Sequence, residues 1–123
     1  MAQLESMTTK EASEYAMLVQ EIALDHRQLE NLHAERSVWA GNVQALAALS
    51  EVQDIIEDRI QRNTARCERF EAWLSAIDDP VMQRLIFSRF VERQSWVEIG
   101  QSERMKPDTA RRAVTRFMLR CSE

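Results

Sequence analysis

The chain has 123 residues and a mass of 14.3 kDa, 45% of them apolar and 29% charged, a balance that supports a packed core and excludes a disordered chain. Two glycines and two prolines are too few for the turns of a barrel or a sandwich, so long helices are expected. Sixteen basic against twenty acidic residues give a net charge of −4, which on its face discourages a nucleic-acid partner. The distribution is uneven, however: residues 1–58 hold three Lys/Arg and eleven Asp/Glu, whereas residues 104–120 hold six basic side chains and one acidic, Asp108. An acidic body with a basic end reads as two tasks in one chain.

The first periodic stretch opens at Thr8 or Thr9, where Glu11 completes a capping box, and runs without Gly or Pro to about Ala40. Tyr15, Leu18, Ile22, Leu29, Leu32 and Trp39 make one apolar stripe, with Asp25 and Arg36 as polar exceptions, on a helix roughly 45 Å long. Gly41 suits the left-handed residue that ends this helix, and Asn42 the cap of the next. So short a link predicts an antiparallel helical hairpin. The second helix carries Leu46, Leu49, Ile56, Ile60, Cys67, Phe70, Leu74 and Ile77 on a coiled-coil spacing, with Gln53 and Asn63 intruding on the seam. Two helices bury a single seam and leave Val19, Val43, Val52 and Ile55 partly uncovered, which predicts self-association or packing on the rest of the chain.

Asp78-Asp79-Pro80 marks a new start: Asp79 caps, Pro80 takes the first helical position, and Val81, Leu85, Ile86 and Phe90 follow as an apolar face. After the polar VERQ turn, Ser95 and Glu98 form a second capping box over Trp96 and Ile99. Pro107 then begins a last helix running to about Arg120. The expected fold is therefore all-α, an acidic coiled-coil-like hairpin over residues 1–76 for assembly or partner docking, followed by a trihelical unit over 77–123 with a helix-turn-helix inside it.

On the last helix Ala110, Ala113, Val114, Phe117 and Cys121 fall on one arc of about 100°, the width of a core-facing stripe. Asp108, Arg112, Thr115 and Leu119 lie opposite, flanked by Arg111 and Arg116. A helix fits the major groove of B-DNA, Arg bonds guanine in a bidentate way, and Asp or Thr supplements it. Residues in the first two turns reach base edges best, so Asp108, Arg111, Arg112 and Thr115 are the expected base contacts. Thr109, Arg116 and Arg120 are expected on phosphate, together with Arg89, Arg93 and the amino end of the Ser95 helix.

Residues from about Ile77 to Arg120, in the stretches IDDPVMQRLIFSRFVERQSWVEIG and KPDTARRAVTRFMLR, resemble region 4 of bacterial RNA polymerase sigma factors. With the preceding acidic helices, including Glu14-Tyr15 and the Ile56 and Ile60 helix, the whole chain resembles the small phage-encoded sigma-like regulators of late transcription, the ArpU and RinA kind. The resemblance implies a helix-turn-helix that reads a −35-type promoter element, base-reading positions on Pro107, Asp108 and Arg112, and host RNA polymerase as a further partner. Two departures stand out. Where such domains carry a Leu-Gly pair between the two helices this chain has Glu103-Arg104, and where a Ser caps the recognition helix it has Lys106. The second removes a side-chain cap usually worth about 1 kcal/mol, for which Pro107 and Asp108 partly compensate. No strand-melting sigma region 2 fits within residues 1–76, so promoter opening by this chain alone is not expected.

Cys67 and Cys121 form no CxxC pair or disulfide framework, no apolar run approaches the ~20 residues of a membrane span, and the first residues lack a signal layout. A cytoplasmic protein that touches no membrane is expected. His26 and His33 share a helix face but stand ~10.5 Å apart along the axis, too far to hold one metal. The adjacent carboxylates Glu57-Asp58 and Asp78-Asp79 diverge on a helix. With no phosphate loop, nucleophile elbow or HExxH present, no catalytic, cofactor or metal site is expected and the chain is not read as an enzyme. The leading expectation is a sequence-specific transcription regulator that binds double-stranded DNA as a homodimer or higher homo-oligomer through residues 1–76. Its rivals are a protein-interaction module docking on RNA polymerase or another regulator, and a phage DNA-packaging component of small-terminase type.

Overall fold

A computed structural model describes residues 4–122; the outermost residues of the two expected segments, 1–3 and 123, lie outside the described residues. Among those described, all regular structure is helical: α1 (Thr9–Val38), α2 (Val43–Ser75), α3 (Pro80–Ile86), α4 (Trp96–Glu103) and α5 (Pro107–Cys121), with a π-helical stretch, Phe87–Val91, continuing α3.

Most helix ends have a local cause. Thr8 opens α1 through a reciprocal box, its Oγ1 accepting from the Glu11 amide at 3.1 Å while Glu11 Oε1 accepts from the Thr8 amide at 3.2 Å. Gly41, at φ 91°, closes the turn after α1, and Asn42 Oδ1 accepts from the Ala45 amide at 3.0 Å to begin α2. Asp79 Oδ1 accepts from the Val81 and Met82 amides at 2.9 and 3.3 Å, with Pro80 at the first position of α3. Ser95 Oγ accepts from the Glu98 amide at 3.2 Å to start α4. Helix α1 stops at Val38, two residues short of the expected Ala40, and Trp39 is exposed in the turn instead of ending the apolar stripe, its indole N–H donating to Glu35 Oε2 at 3.1 Å.

The chain forms two compact units, one of the described residues up to Ala16 and from Cys67 onward, the other Met17–Arg66. The expected boundary near Ile77 is thus displaced, for a packing reason. Met7 and Ala12 from the start of the chain, and Phe70 and Trp73 from the end of α2, lie in the same buried cluster as Leu85, Ile99 and Val114. Aromatic rings chain Tyr15 to Phe70 (4.6 Å between centroids), Phe70 to Trp73 (5.7 Å) and Trp73 to Phe117 (6.0 Å). The Met7 amide donates to the Cys121 carbonyl at 3.0 Å, and Arg69 bonds Glu11 and the Ser6 carbonyl, so the segment before α1 is fastened on both sides.

In the Met17–Arg66 unit hydrogen bonds join α1 to α2. Three of the polar residues that interrupt the stripes find partners across the two helices: buried Asp25 accepts from Arg59 at both carboxylate oxygens, at 2.8 and 2.7 Å, and Arg36 donates to Gln53 Oε1 at 2.7 Å and also to Ser50 Oγ at 2.9 Å. Charge-assisted bonds of this kind satisfy groups that would otherwise be costly to bury. Val19, Val43, Val52 and Ile55 are exposed, as their positions predicted, and Met17 and Leu24 join them.

Phe90, four past buried Ile86, lies in the core as its place on the apolar face predicts, and Arg89, within the π-helical stretch, is half-buried. Val81, expected on the apolar face, is exposed, and Met82 takes the buried position.

Candidate nucleic-acid interface

Helix α4 hands the chain to α5 across a turn of three residues. Arg104 adopts the left-handed conformation (φ 55°, ψ 47°), its amide and that of Met105 both turned to the Gly100 carbonyl, the latter at 2.9 Å. A Cβ on Gly100 would stand 2.7 Å from the Met105 carbonyl oxygen and 3.2 Å from the Pro107 nitrogen. A glycine is therefore required for α4 to approach the start of α5 this closely. Glu103, in the place of an apolar anchor, points inward with its side chain 15% exposed and is held by Arg84 through two bonds of 2.7 and 3.0 Å. That pairing holds the Glu103 carboxyl below its ordinary range.

Helix α5 starts at Lys106, which supplies no side-chain cap, and at Pro107 in the first turn. It buries Ala110, Val114 and Met118 and half-buries Ala113, Phe117 and Cys121. Met118, one of six methionines scattered through the sequence, completes the stripe because a residue four past Val114 returns to the same face.

Asp108, Arg111, Arg112 and Thr115 are all exposed on the opposite side and are brought together. The Asp108 carboxylate bonds Arg111, and its second oxygen accepts from Arg112 Nε at 2.9 Å. The hydrogen bond from Arg111 and the two guanidinium charges hold Asp108 below the usual carboxylate range. Thr115 Oγ1 donates back to the Arg111 carbonyl at 2.8 Å. One carboxylate thus ties two exposed guanidiniums, each of which keeps further N–H donors.

Of the expected phosphate contacts, Thr109, Arg116 and Arg120 are exposed on α5, with Arg120 standing 5.9 Å from the Phe117 ring centroid. Ser95 is engaged in its cap, where its hydroxyl also donates to Glu98 Oε1 at 3.1 Å. Arg89 donates to the Gln94 carbonyl at 3.0 Å and lies 4.6 Å over the Trp96 ring. Arg93 is exposed, with left-handed backbone at φ 57°. Together with Phe90 and Ser13, a residue sequence reasoning left unassigned, Arg89 and Arg93 line a cavity of about 230 Å³. A neighbouring cavity of about 320 Å³ shares Ser13, Arg89 and Phe90 and continues to Trp96, Arg111 and Thr115.

Among the described residues no group of three or more His, Cys, Asp or Glu is placed to hold a metal, and no helix is long and apolar enough to cross a membrane. Cys67 is buried and Cys121 half-buried. No family model, no curated protein and no solved structure gives a significant match to the chain.

Proposed function

We propose that this chain is a sequence-specific DNA-binding transcription regulator of phage type, in which α4 and α5 act as a helix-turn-helix and α5 lies in the major groove. The observation that carries this reading is the two-sidedness of α5: Ala110, Val114 and Met118 are buried while Asp108, Arg111, Arg112 and Thr115 stand exposed on the other side. Arg112 reads a guanine edge, Asp108 orients the guanidiniums or accepts from a cytosine amine, and Arg116 and Arg120 meet phosphates. The antiparallel α1 and α2 serve as an assembly hairpin, so that two copies read half-sites about one helical turn, or a multiple of it, apart.

Fragments selected from the source genome supply the target duplex. Against it, Arg112→Ala lowers specific affinity by about 1–3 kcal/mol at fixed salt and leaves helicity unchanged. A variant that binds as tightly as the parent sinks the assigned reading face. The exposed Val52 and Ile55 favour a second reading, a protein-interaction module that docks on RNA polymerase or another regulator. A gel-shift series separates the two: a DNA complex weakens steeply as salt rises, whereas an interaction module retains none even in dilute buffer.

A further inference from the structure

We infer that the cavity between the start of α1 and the π-helical stretch is a binding site for a phosphate group, with Arg89 and Arg93 as its cationic walls and the Ser13 hydroxyl as a neutral donor. Its composition is the first ground. Ser13, Arg89, Phe90 and Arg93 line it, Arg111 lines its continuation, and no carboxylate is among the lining residues of either part. Glu92, next to Arg93 in sequence, lines a separate groove with Phe87 and Arg84. The two guanidiniums of Arg89 and Arg93, about a hollow that no carboxylate lines, attract a compact anion, and the fork of Arg matches tetrahedral oxygens in a bidentate way.

The second ground is preorganisation. Arg89 is already fixed by the Gln94 carbonyl at 3.0 Å and by the Trp96 ring at 4.6 Å, so little side-chain freedom is lost when an anion arrives. Those contacts use one of its five N–H donors and leave others for a ligand. The third ground is Arg93. Its left-handed backbone disfavours any residue with a Cβ, it makes no ion pair among the described residues, and glycine would fit the same turn without strain. Strain retained around an unpaired charge marks a position where the side chain has work outside the fold.

The size agrees: about 230 Å³ corresponds to roughly seven or eight waters at ~30 Å³ each, room for one phosphate and part of its hydration. The second cavity links the hollow to Arg111 and Thr115 on α5, so an occupant there adjoins a duplex read by that helix. The favoured source is accordingly a phosphodiester of the nucleic-acid backbone rather than free phosphate. That choice of source rests on the DNA-binding reading; the phosphate chemistry does not.

Two measurements on the full chain test this. In the first, the arginine Nε–H resonances are followed during titration with inorganic phosphate against chloride at matched ionic strength. Those of Arg89 and Arg93 shift with phosphate alone, and the shifts vanish in Arg93→Gly. In the second, duplex affinity is read by fluorescence anisotropy across a salt series. Arg93→Gly weakens binding about five- to thirty-fold and lowers the salt slope by about one, and Ser13→Ala weakens it two- to five-fold. Because Arg93→Gly also relieves the left-handed backbone, its thermal midpoint holds or rises, and lost binding cannot be ascribed to unfolding. Response in either measurement supports the site. Phosphate-dependent shifts with unchanged duplex binding overturn the nucleic-acid source in favour of free phosphate, while silence in both overturns the site. If the parent chain binds no duplex in dilute buffer, the DNA reading fails, and the phosphate titration alone decides the site.

Discussion

At the turn between α4 and α5, single residues settle the geometry in a way the sequence signalled only as a departure. Arg104 itself takes the left-handed conformation at φ 55° where the resembling family has glycine, and the left-handed region costs a side-chain-bearing residue about 1–2 kcal/mol. Set against the entropy glycine loses on folding, Arg104→Gly is expected to raise stability by up to about 1 kcal/mol, read as a higher denaturant midpoint with an unchanged slope. A lower midpoint would mean that the arginine side chain stabilises the turn by a contact of its own. Gly100 is the opposite case. Its missing Cβ would meet backbone at 2.7 Å, not a side chain able to rotate away, so Gly100→Ala is expected to cost about 1–3 kcal/mol and to broaden the unfolding transition. The need at Gly100 is invisible in sequence, because it arises from the approach of the Met105 carbonyl after the turn has formed. Glu103 was equally illegible, since its partner Arg84 lies nineteen positions away and pairwise contact at that distance leaves no periodic trace.

Among the helices, what could be read was what is written locally. The boxes at Thr8 and Ser95, the Asp79-Pro80 start, the Gly41-Asn42 link and the arginine face of α5 each depend on residues within four positions of one another. The π-helical stretch Phe87–Val91 escaped because an added residue changes the phase of the pattern without changing its composition. The unit boundary escaped because Phe70 and Trp73 continue the α2 spacing unbroken while packing with Leu85 and Ile99. Asp25, Arg36 and Gln53 read as exceptions on their stripes, but the bonds that join Asp25 to Arg59 and Arg36 to Gln53 span 34 and 17 positions and leave no local trace. Asp25 carries the consequence: the hydrogen bond from Arg59, opposed by partial burial and aided by the Arg59 and His26 charges, lowers its carboxyl from the ordinary value of 3.8. A depressed folded-state value means stability present above about pH 4 and lost as pH falls through the lowered value. Asp25→Asn is therefore expected to melt a few degrees below the parent near neutrality, with the gap closing as the pH drops below 4. A gap that stayed constant down to acid pH in thermal melts followed by circular dichroism would show that the pair contributes nothing through its charge.

For the molecule as a whole, the division of charge found in sequence is one of faces rather than of units. The Met17–Arg66 unit holds five basic and eight acidic side chains, and the remainder of the chain eleven and twelve. The second unit is thus close to neutral in sum, and any attraction to a polyanion resides in the local display of Arg111, Arg112, Arg116 and Arg120 rather than in a net field. The acidic unit has a different property. Its helix pair buries Leu18 and Ile56 but leaves Met17, Leu24, Val52 and Ile55 between 40% and 61% exposed, apolar surface that a second copy can cover. Self-association removes that surface at about 25 cal/mol per Å² covered, and salt screens the repulsion between two net-negative units. Light scattering is therefore expected to give a mass of twice 14.3 kDa or more at tens of micromolar, rising slightly with salt as repulsion is screened. Ile55→Asp places a charge on that face and is expected to return the mass to that of one chain while the helical signal persists. A parent already monomeric under those conditions would remove the assembly role of α1 and α2. A ring of eight or more copies would instead favour the DNA-packaging alternative over a dimer that reads two half-sites.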